Sequence, residues 1–342
     1  MYINLMIEEN KNIYLSYWLL LITFLVSLMI VVGGLTRLTD SGLSITRWDL
    51  IAGILPPLSL DEWNNSFSLY KMIPEFKLLN SSMTLDEFKV IFWWEYIHRL
   101  LGRIIGLFYL LPLIYFTFVG KNILNKILTF YIIFFLICFQ GFIGWYMVQS
   151  GLTERTDVSH YRLSLHLIIA FIILVALIWN YLDLNIKKSF SLNKKLPYNL
   201  PLIFFLLVFL QIIFGAFVSG LDAGQIYQTW PLMNQTYFPD DSSYKDIFSF
   251  NSPSIVQFIH RNLAYIIIVI FLLITTLLFK NSMYSYLRNS FLLVFIFLLI
   301  QIVLGVLTIL SGATLIIASL HQIGSIFLVI ASTIFVHKNY KS

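Results

Sequence analysis

Eight apolar runs, each close to the length that crosses a hydrocarbon core, constrain this chain more than any other feature. They fall at about Tyr14–Leu35, Glu95–Val119, Ile127–Val148, His160–Tyr181, Leu200–Gly220, Ser254–Phe279, Leu287–Leu310 and Thr314–Val336. A helix of about 20 apolar residues spans a bilayer. In lipid each backbone N–H and C=O must be satisfied within the segment, which leaves helices as the solution for runs of this kind. The expected fold class is an all-α membrane protein with eight transmembrane helices. Composition agrees, with charged residues at 11% and hydrophobic residues at 59%, against roughly 25% and 45–50% in a soluble domain. The net charge of +5 does not point to nucleic acid, because basic residues of a membrane protein mainly set its orientation. The first run reads as a span and not as a cleavable signal, since Glu8 and Glu9 contradict a basic leader region and no small-residue cleavage site follows.

Orientation follows from the short connections. Lys121 and Lys126, then Lys187, Lys188, Lys194 and Lys195, then Lys280 and Arg288, then Lys338 and Lys341 share one side with Lys11, which places both termini on the cytoplasmic or matrix face. Asp40, Asp49, Asp61, Glu62, Asp86, Glu87, Asp222, Asp240, Asp241 and Asp246 fall in two long outer connections, about Thr36–Trp94 and Leu221–Pro253. Connections this long in a compact protein are usually functional. Pro56-Pro57, Trp48, Trp63 and Trp230-Pro231 suggest covers with structure of their own.

The chain also repeats itself at its polar positions. His98 pairs with His260, Gln140 with Gln301, Gly144 with Gly305 and His166 with His321 at nearly constant offset, while Asp40-Ser41-Gly42 and Asp222-Ala223-Gly224 close the first and fifth runs. This pattern predicts two pseudo-symmetric four-helix bundles: residues 1–182, a basic inner linker at 183–198, and residues 199–342.

Histidine is costly inside a membrane and defaults there to a functional role. The second, fourth, sixth and eighth runs enter from one side, and His98, His166, His260 and His321 lie within the first two turns of each. Two histidines on facing helices of a bundle are what a six-coordinate haem requires. The repeat pairs His98 with His166 and His260 with His321, which gives four candidate metal ligands. Without a Cys-x-x-Cys-His site and with Cys138 as the single cysteine, any haem is held non-covalently. His160 at a helix mouth and His337 at a rim read as interfacial.

Arg99, Arg261 and Arg162 sit beside the histidines, where haem propionates need forked donors; the alternative for them is snorkelling to the interface. Gly102 and Gly106 form a strip for close approach, and Gln140, Gly144, Gln301 and Gly305 read equally well as helix packing. Aligning the repeats places Glu95 opposite Gln257. A carboxylate three residues before His98 lies on the same helix face. It can stabilise positive charge developing beside it or take a proton, which marks the N-terminal half as the reactive one. The competing reading pairs Glu95 with Arg99, four residues on.

The stretch from Gly33 to Ser44, the run Phe92-Trp93-Trp94-Glu95-Tyr96-Ile97-His98-Arg99-Leu100-Leu101-Gly102-Arg103, and Gly220-Leu221-Asp222-Ala223-Gly224 with Trp230-Pro231-Leu232-Met233 resemble the haem A synthase family over nearly the whole chain. The resemblance implies an inner-membrane oxidoreductase with eight helices that converts a ring methyl of haem O to the formyl group of haem A for cytochrome oxidase. It also implies that His260 and His321 ligate a haem b, and that Glu95, His98 and His166 serve the substrate haem. Many members carry a cysteine pair in the first outer loop. This chain has none there, so it resembles the cysteine-free mitochondrial and proteobacterial branch, without a thiol-based step. Implied partners are haem O, the farnesyltransferase that makes it and an unidentified electron-transfer partner, and a homo-oligomer is allowed. Two other classes stay open on the residues alone. A dihaem electron carrier would have no use for Glu95 or the long outer connections, and a transporter would need broken helices.

Overall fold

The computed structural model describes residues 2–49, 52–119, 124–153, 155–186 and 195–341, with the side chains of these residues described from residue 13 onward except at 52, 119, 124 and 125. Among these residues there is no β-strand, and eight helices are long and apolar enough to cross a membrane. They are α1 (Tyr2–Leu38), α4 (Leu85–Val119), α5 (Leu124–Gln149), α6 (His160–Asn185), α7 (Leu200–Gly220), α8 (Pro253–Lys280), α9 (Arg288–Leu310) and α10 (Leu315–Lys341). Two short helices, α2 (Leu60–Tyr70) and α3 (Pro74–Leu78), lie in the first long connection. The protein is a multi-pass, all-helical membrane protein. Lys121, Lys187, Lys188 and Lys194, which carry part of the orientation argument, lie outside the described residues, as do the side chains of Glu8, Glu9 and Lys11.

The chain forms two compact units, residues 1–23 with 171–342, and residues 24–170. In the first, α7 packs on α8 and α10, and α9 packs on α10. In the second, α4 packs on α5 and on α2.

Local chemistry explains where the helices stop. Asp40 adopts a left-handed conformation at φ 47°, and the Ser41 and Asp40 amides return to the carbonyls of Thr36 and Arg37 at 2.9 and 3.2 Å. That pattern satisfies carbonyls that the end of α1 would otherwise leave open, and a short polar side chain tolerates the left-handed region. Asp222 repeats the backbone state after α7 at φ 48°.

Helix α4 begins about ten residues before the apolar run that marks it in sequence. Thr84 and Glu87 form a capping box, in which the Thr84 amide donates to the Glu87 carboxylate at 2.7 Å and the Glu87 amide donates to Thr84 Oγ1 at 3.3 Å. His98 therefore lies thirteen residues after the helix start and not within its first two turns. The early turns of α4 carry Phe88 and Phe92, which pack with Phe67, Tyr70, Ile73, Leu43 and Val148 into a small core of their own. The first long connection is thus a folded cover, as its aromatic content suggests.

Glu75, on α3, is buried at 4% exposure within this cover. Its Oε2 has no hydrogen-bond partner. Burial first, then the nearby charges of Asp40 and Glu95, push its carboxyl up to about 8, against the opposing effects of a Tyr70 hydrogen bond and Arg37. The fold holds a proton there that the unfolded chain releases near the ordinary 4.5, so stability from this group is full at low pH and is lost as pH rises between those values. Glu75→Gln cannot ionise. Its gain in melting temperature over the parent protein in detergent is expected to be small at about pH 5 and to grow until about pH 8. A gain that does not change with pH would show that Glu75 is ionised in the fold.

Candidate functional site

Each of the four histidines predicted as ligands lies against a glycine of a neighbouring helix. A Cβ built on Gly33 of α1 would stand 2.8 Å from His98 Cε1, one on Gly144 of α5 would stand 3.0 Å from His166, one on Gly215 of α7 would stand 3.2 Å from His260, and one on Gly305 of α9 would stand 3.1 Å from His321. Carbon atoms prefer separations of about 3.5–4.0 Å, so none of these positions accepts a side chain without displacing the imidazole. The four glycines form flat walls that set the rings.

The rings are half-buried. Nδ1 is enclosed and without a hydrogen-bond partner in all four, and Cε1 faces the glycine, which leaves the Nε2 edge as the open one. The ring centroids of His98 and His166 are 6.4 Å apart with planes at 62°. Two imidazoles bonded to one metal ion from opposite sides, each at about 2.0–2.1 Å, have centroids about 6 Å apart. The spacing fits a shared iron. Among the described residues there is no group of three or more His, Cys, Asp or Glu side chains able to hold a bare metal ion, so the pairs suit a metal whose other ligands come from a porphyrin.

A metal-bound imidazole usually gives its second nitrogen to a carboxylate or carbonyl. Here that orienting role passes to the glycines and to three glutamines. Gln140 Nε2 donates to the backbone carbonyl of His166 at 2.8 Å, Gln301 Nε2 to that of His321 at 3.0 Å, and Gln211 Nε2 to that of His260 at 3.0 Å. Gln211 Nε2 also lies 3.2 Å from His260 Nε2, a contact that a metal would replace. Gln140, Gly144, Gln301 and Gly305, which from sequence read equally well as helix packing, contact the histidines His166 and His321 directly. Gly33, Gly215 and Gln211 were not singled out from sequence as partners of the histidines. The signal for them was present in the equal spacing of Gly33 to Asp40 and Gly215 to Asp222. Of the expected glycine strip, Gly102 meets Met29 whereas Gly106 faces open space.

Glu95 is buried at 3% exposure and its oxygens are fully engaged. Arg99 Nε and Nη2 donate to Oε1 at 3.1 and 2.6 Å, and Ser44 Oγ and the Ile45 amide donate to Oε2 at 2.7 Å each. The ion pair with Arg99 is therefore formed. Arg99 extends it by donating to the carbonyls of Ile45 and Arg47 at 2.8 and 3.0 Å and lying 4.6 Å from the Trp48 ring. Gln257, at the matching position, donates from Nε2 to the Tyr227 carbonyl at 3.1 Å. Arg261 donates to the carbonyls of Tyr227 and Thr229 at 2.8 and 2.9 Å, and its buried Nε has no hydrogen-bond partner. Both arginines pin a long connection to its helix. Arg162 is held at the Tyr146 carbonyl at 2.7 Å. His160 and His337, read from sequence as interfacial, are both buried within the protein. His160 lies against Tyr161 with centroids 4.1 Å apart and planes tilted by 38°, and His337 Nε2 meets Asp183 at 2.9 Å beside Lys341, which reaches the same carboxylate at 2.7 Å.

Eight spans and two matched sets of half-buried paired histidines define a helical membrane protein with two candidate ligand pairs. The chain belongs to the COX15-CtaA family of cytochrome oxidase assembly proteins, which it matches over residues 16–333. It is 50% identical over 337 residues to the heme A synthase of Pelagibacter ubique, covering 97% of this chain and 98% of that protein. It is 47% identical over 329 residues to the heme A synthase of Rickettsia bellii, covering 93% and 96%. With the heme A synthase of Flavobacterium johnsoniae it shares 40% identity over 342 residues, covering 97% and 98%.

The glycine walls are testable apart from activity. Gly33→Ala and Gly305→Ala should each push a ring aside and weaken haemin binding at that pair by about tenfold or more, as an overpacking strain of about 1–3 kcal/mol implies. Titration of purified variants with haemin, read by absorbance, checks this. Unchanged affinity in both would show that the rings are not set by the glycines.

Proposed function

We propose that this protein is a haem A synthase, which oxidises a ring methyl of haem O to a formyl group and so provides haem A for cytochrome oxidase assembly. The observation that carries the reading is the unequal surroundings of two otherwise matched histidine pairs. His98 and His166 lie in the same compact unit as the buried carboxylate of Glu95, while the pair of His260 and His321 has the neutral Gln257 in its place. In this reading His98 and His166 face the haem O substrate, and His260 and His321 hold a haem b. When bound, haem b supplies one-electron redox chemistry. The orphaned Nε of Arg261 is a donor suited to a propionate, and Arg99 serves the other haem with the donor capacity left beside its ties to Glu95 and the cover.

Glu95 precedes His98 by one turn, on the same helix face. Four protein donors already occupy its oxygens, so it acts as a fixed anion and not as a proton acceptor. A pre-positioned negative charge in a site of low dielectric lowers the cost of positive charge developing at the methyl. An electron-storing site has no need of it.

The duplication into residues 1–182 and 199–342 is part of the same proposal, supported by the equal glycine and left-handed aspartate placements in both halves and by the matching ties of Gln140 and Gln301. The membrane is the inner membrane of a bacterium or mitochondrion, with both termini on the cytoplasmic or matrix side. Electrons leave to an electron-transfer partner. Delivery by the haem O farnesyltransferase and assembly as a homo-oligomer are compatible with the reading.

Two experiments test it. Glu95→Gln should retain haem while losing roughly a hundred- to a thousand-fold in haem A formation, whereas Gln257→Glu should alter the haem b potential more than turnover. Haem analysis of protein purified from cells making haem O reads both; full activity in Glu95→Gln would refute the fixed anion, and loss of all haem would assign Glu95 to holding Arg99 and the cover. For orientation, a reporter fused after Asn193 should read as cytoplasmic or matrix-facing, and a signal from the opposite side would reverse the topology.

A further inference from the structure

We infer that Met29 and Gly102 make His98 the exchangeable histidine among the four, the one that yields when a haem enters or leaves; this rests on the pair assignment above. Three helices present the same device to a histidine, a glutamine followed four residues later by the wall glycine: Gln140 and Gly144, Gln211 and Gly215, Gln301 and Gly305. In each the glutamine ties the backbone carbonyl of the histidine at 2.8–3.0 Å. Helix α1 has the wall glycine, Gly33, but Met29 stands where the glutamine would be.

Methionine offers no N–H donor, and among the described residues no side chain donates to the His98 carbonyl. The partner position has changed as well. Four residues after the other histidines stand Ala170, Ala264 and Ser325, while four after His98 stands Gly102. A Cβ there would come within 3.0 Å of the Met29 methyl. The bare backbone of α4 thus receives a flexible thioether in place of a fixed amide. An unbranched, polarizable side chain adapts to movement of its neighbour. His98 is consequently wedged by Gly33 on one side with its own carbonyl untied, the nearest tie between α1 and α4 being Thr36 Oγ1 to the Trp94 carbonyl at 3.4 Å, one turn earlier, and Met29 is a positioning residue that acts through it. A site that must take in one haem and give up another needs one ligand of this kind, and a permanently occupied site needs none.

The test uses the full-length protein in detergent, saturated with haemin and mixed with excess apomyoglobin as scavenger, with release followed by absorbance. Two phases are expected, the faster absent in His98→Ala. Met29→Gln restores the donor and should slow the fast phase by roughly fivefold, the worth of one net hydrogen bond, with the slow phase unmoved. Met29→Leu fills similar space without a donor and should not slow it. Gln211→Met should speed the slow phase by a similar factor, an independent reading should Met29→Gln fail to fold. A single phase with both pairs occupied, slowing by Met29→Leu equal to that of Met29→Gln, or no effect of either Met29→Gln or Gln211→Met would overturn the inference while leaving the haem reading intact. Protein that binds no haemin at either pair would overturn the haem reading, and this inference with it.

Discussion

The contact between the bare backbone of a glycine and the edge of an imidazole is the constraint on which the rest of this protein depends. An imidazole at membrane depth cannot draw on water for its polar atoms, and a polar group without a partner there is costly. The wall glycines let two helices approach closely enough to enclose Nδ1 and Cε1, which leaves the Nε2 edge as the accessible one. Because the approach is closer than a Cβ allows, ring position is set by backbone placement and not by a side chain that could rotate away. Helix spacing and ligand geometry are therefore one quantity.

Backbone carbonyls provide the second layer. A helical carbonyl has a lone pair beyond the one used in the helix, and Gln140, Gln211 and Gln301 use it to tie the helices of His166, His260 and His321 to their neighbours. Arg99 and Arg261, each the residue after its histidine, perform a corresponding task by collecting carbonyls from the long connections and holding those segments near the histidines. The cover between α1 and α4 has its own aromatic core, so it is a built structure and not a loose lid.

Against this shared plan the differences stand out, and they gather at His98. Glu95 replaces an amide, Met29 replaces a glutamine, and Gly102 replaces an alanine or serine. The first introduces a charge stabilised by Arg99, Ser44 and Ile45, and the other two remove a tie. In the proposed duplication, halves that diverge at one histidine in both charge and restraint suit one half that holds its haem and another that processes a haem passing through.

Sequence alone determined the fold class, the number of spans and the identity of the paired histidines, because length, apolar content and polar periodicity are local properties that a bilayer reads directly. It also exposed the Glu95 and Gln257 difference, since a repeat aligns positions without any need for coordinates. It did not separate the ion pair of Glu95 from a freer carboxylate, because the deciding partners, Ser44 and the Ile45 amide, are about fifty residues away in the chain. The outward reach of α4 was masked by the change from apolar to mixed residues at its start, although the Thr84 and Glu87 box was there to be seen. The repeat marked several of these glycines and glutamines, but what each one touches was decided by tertiary structure, since a glycine in a membrane helix carries the same letter whether it meets lipid, a methyl group or an imidazole.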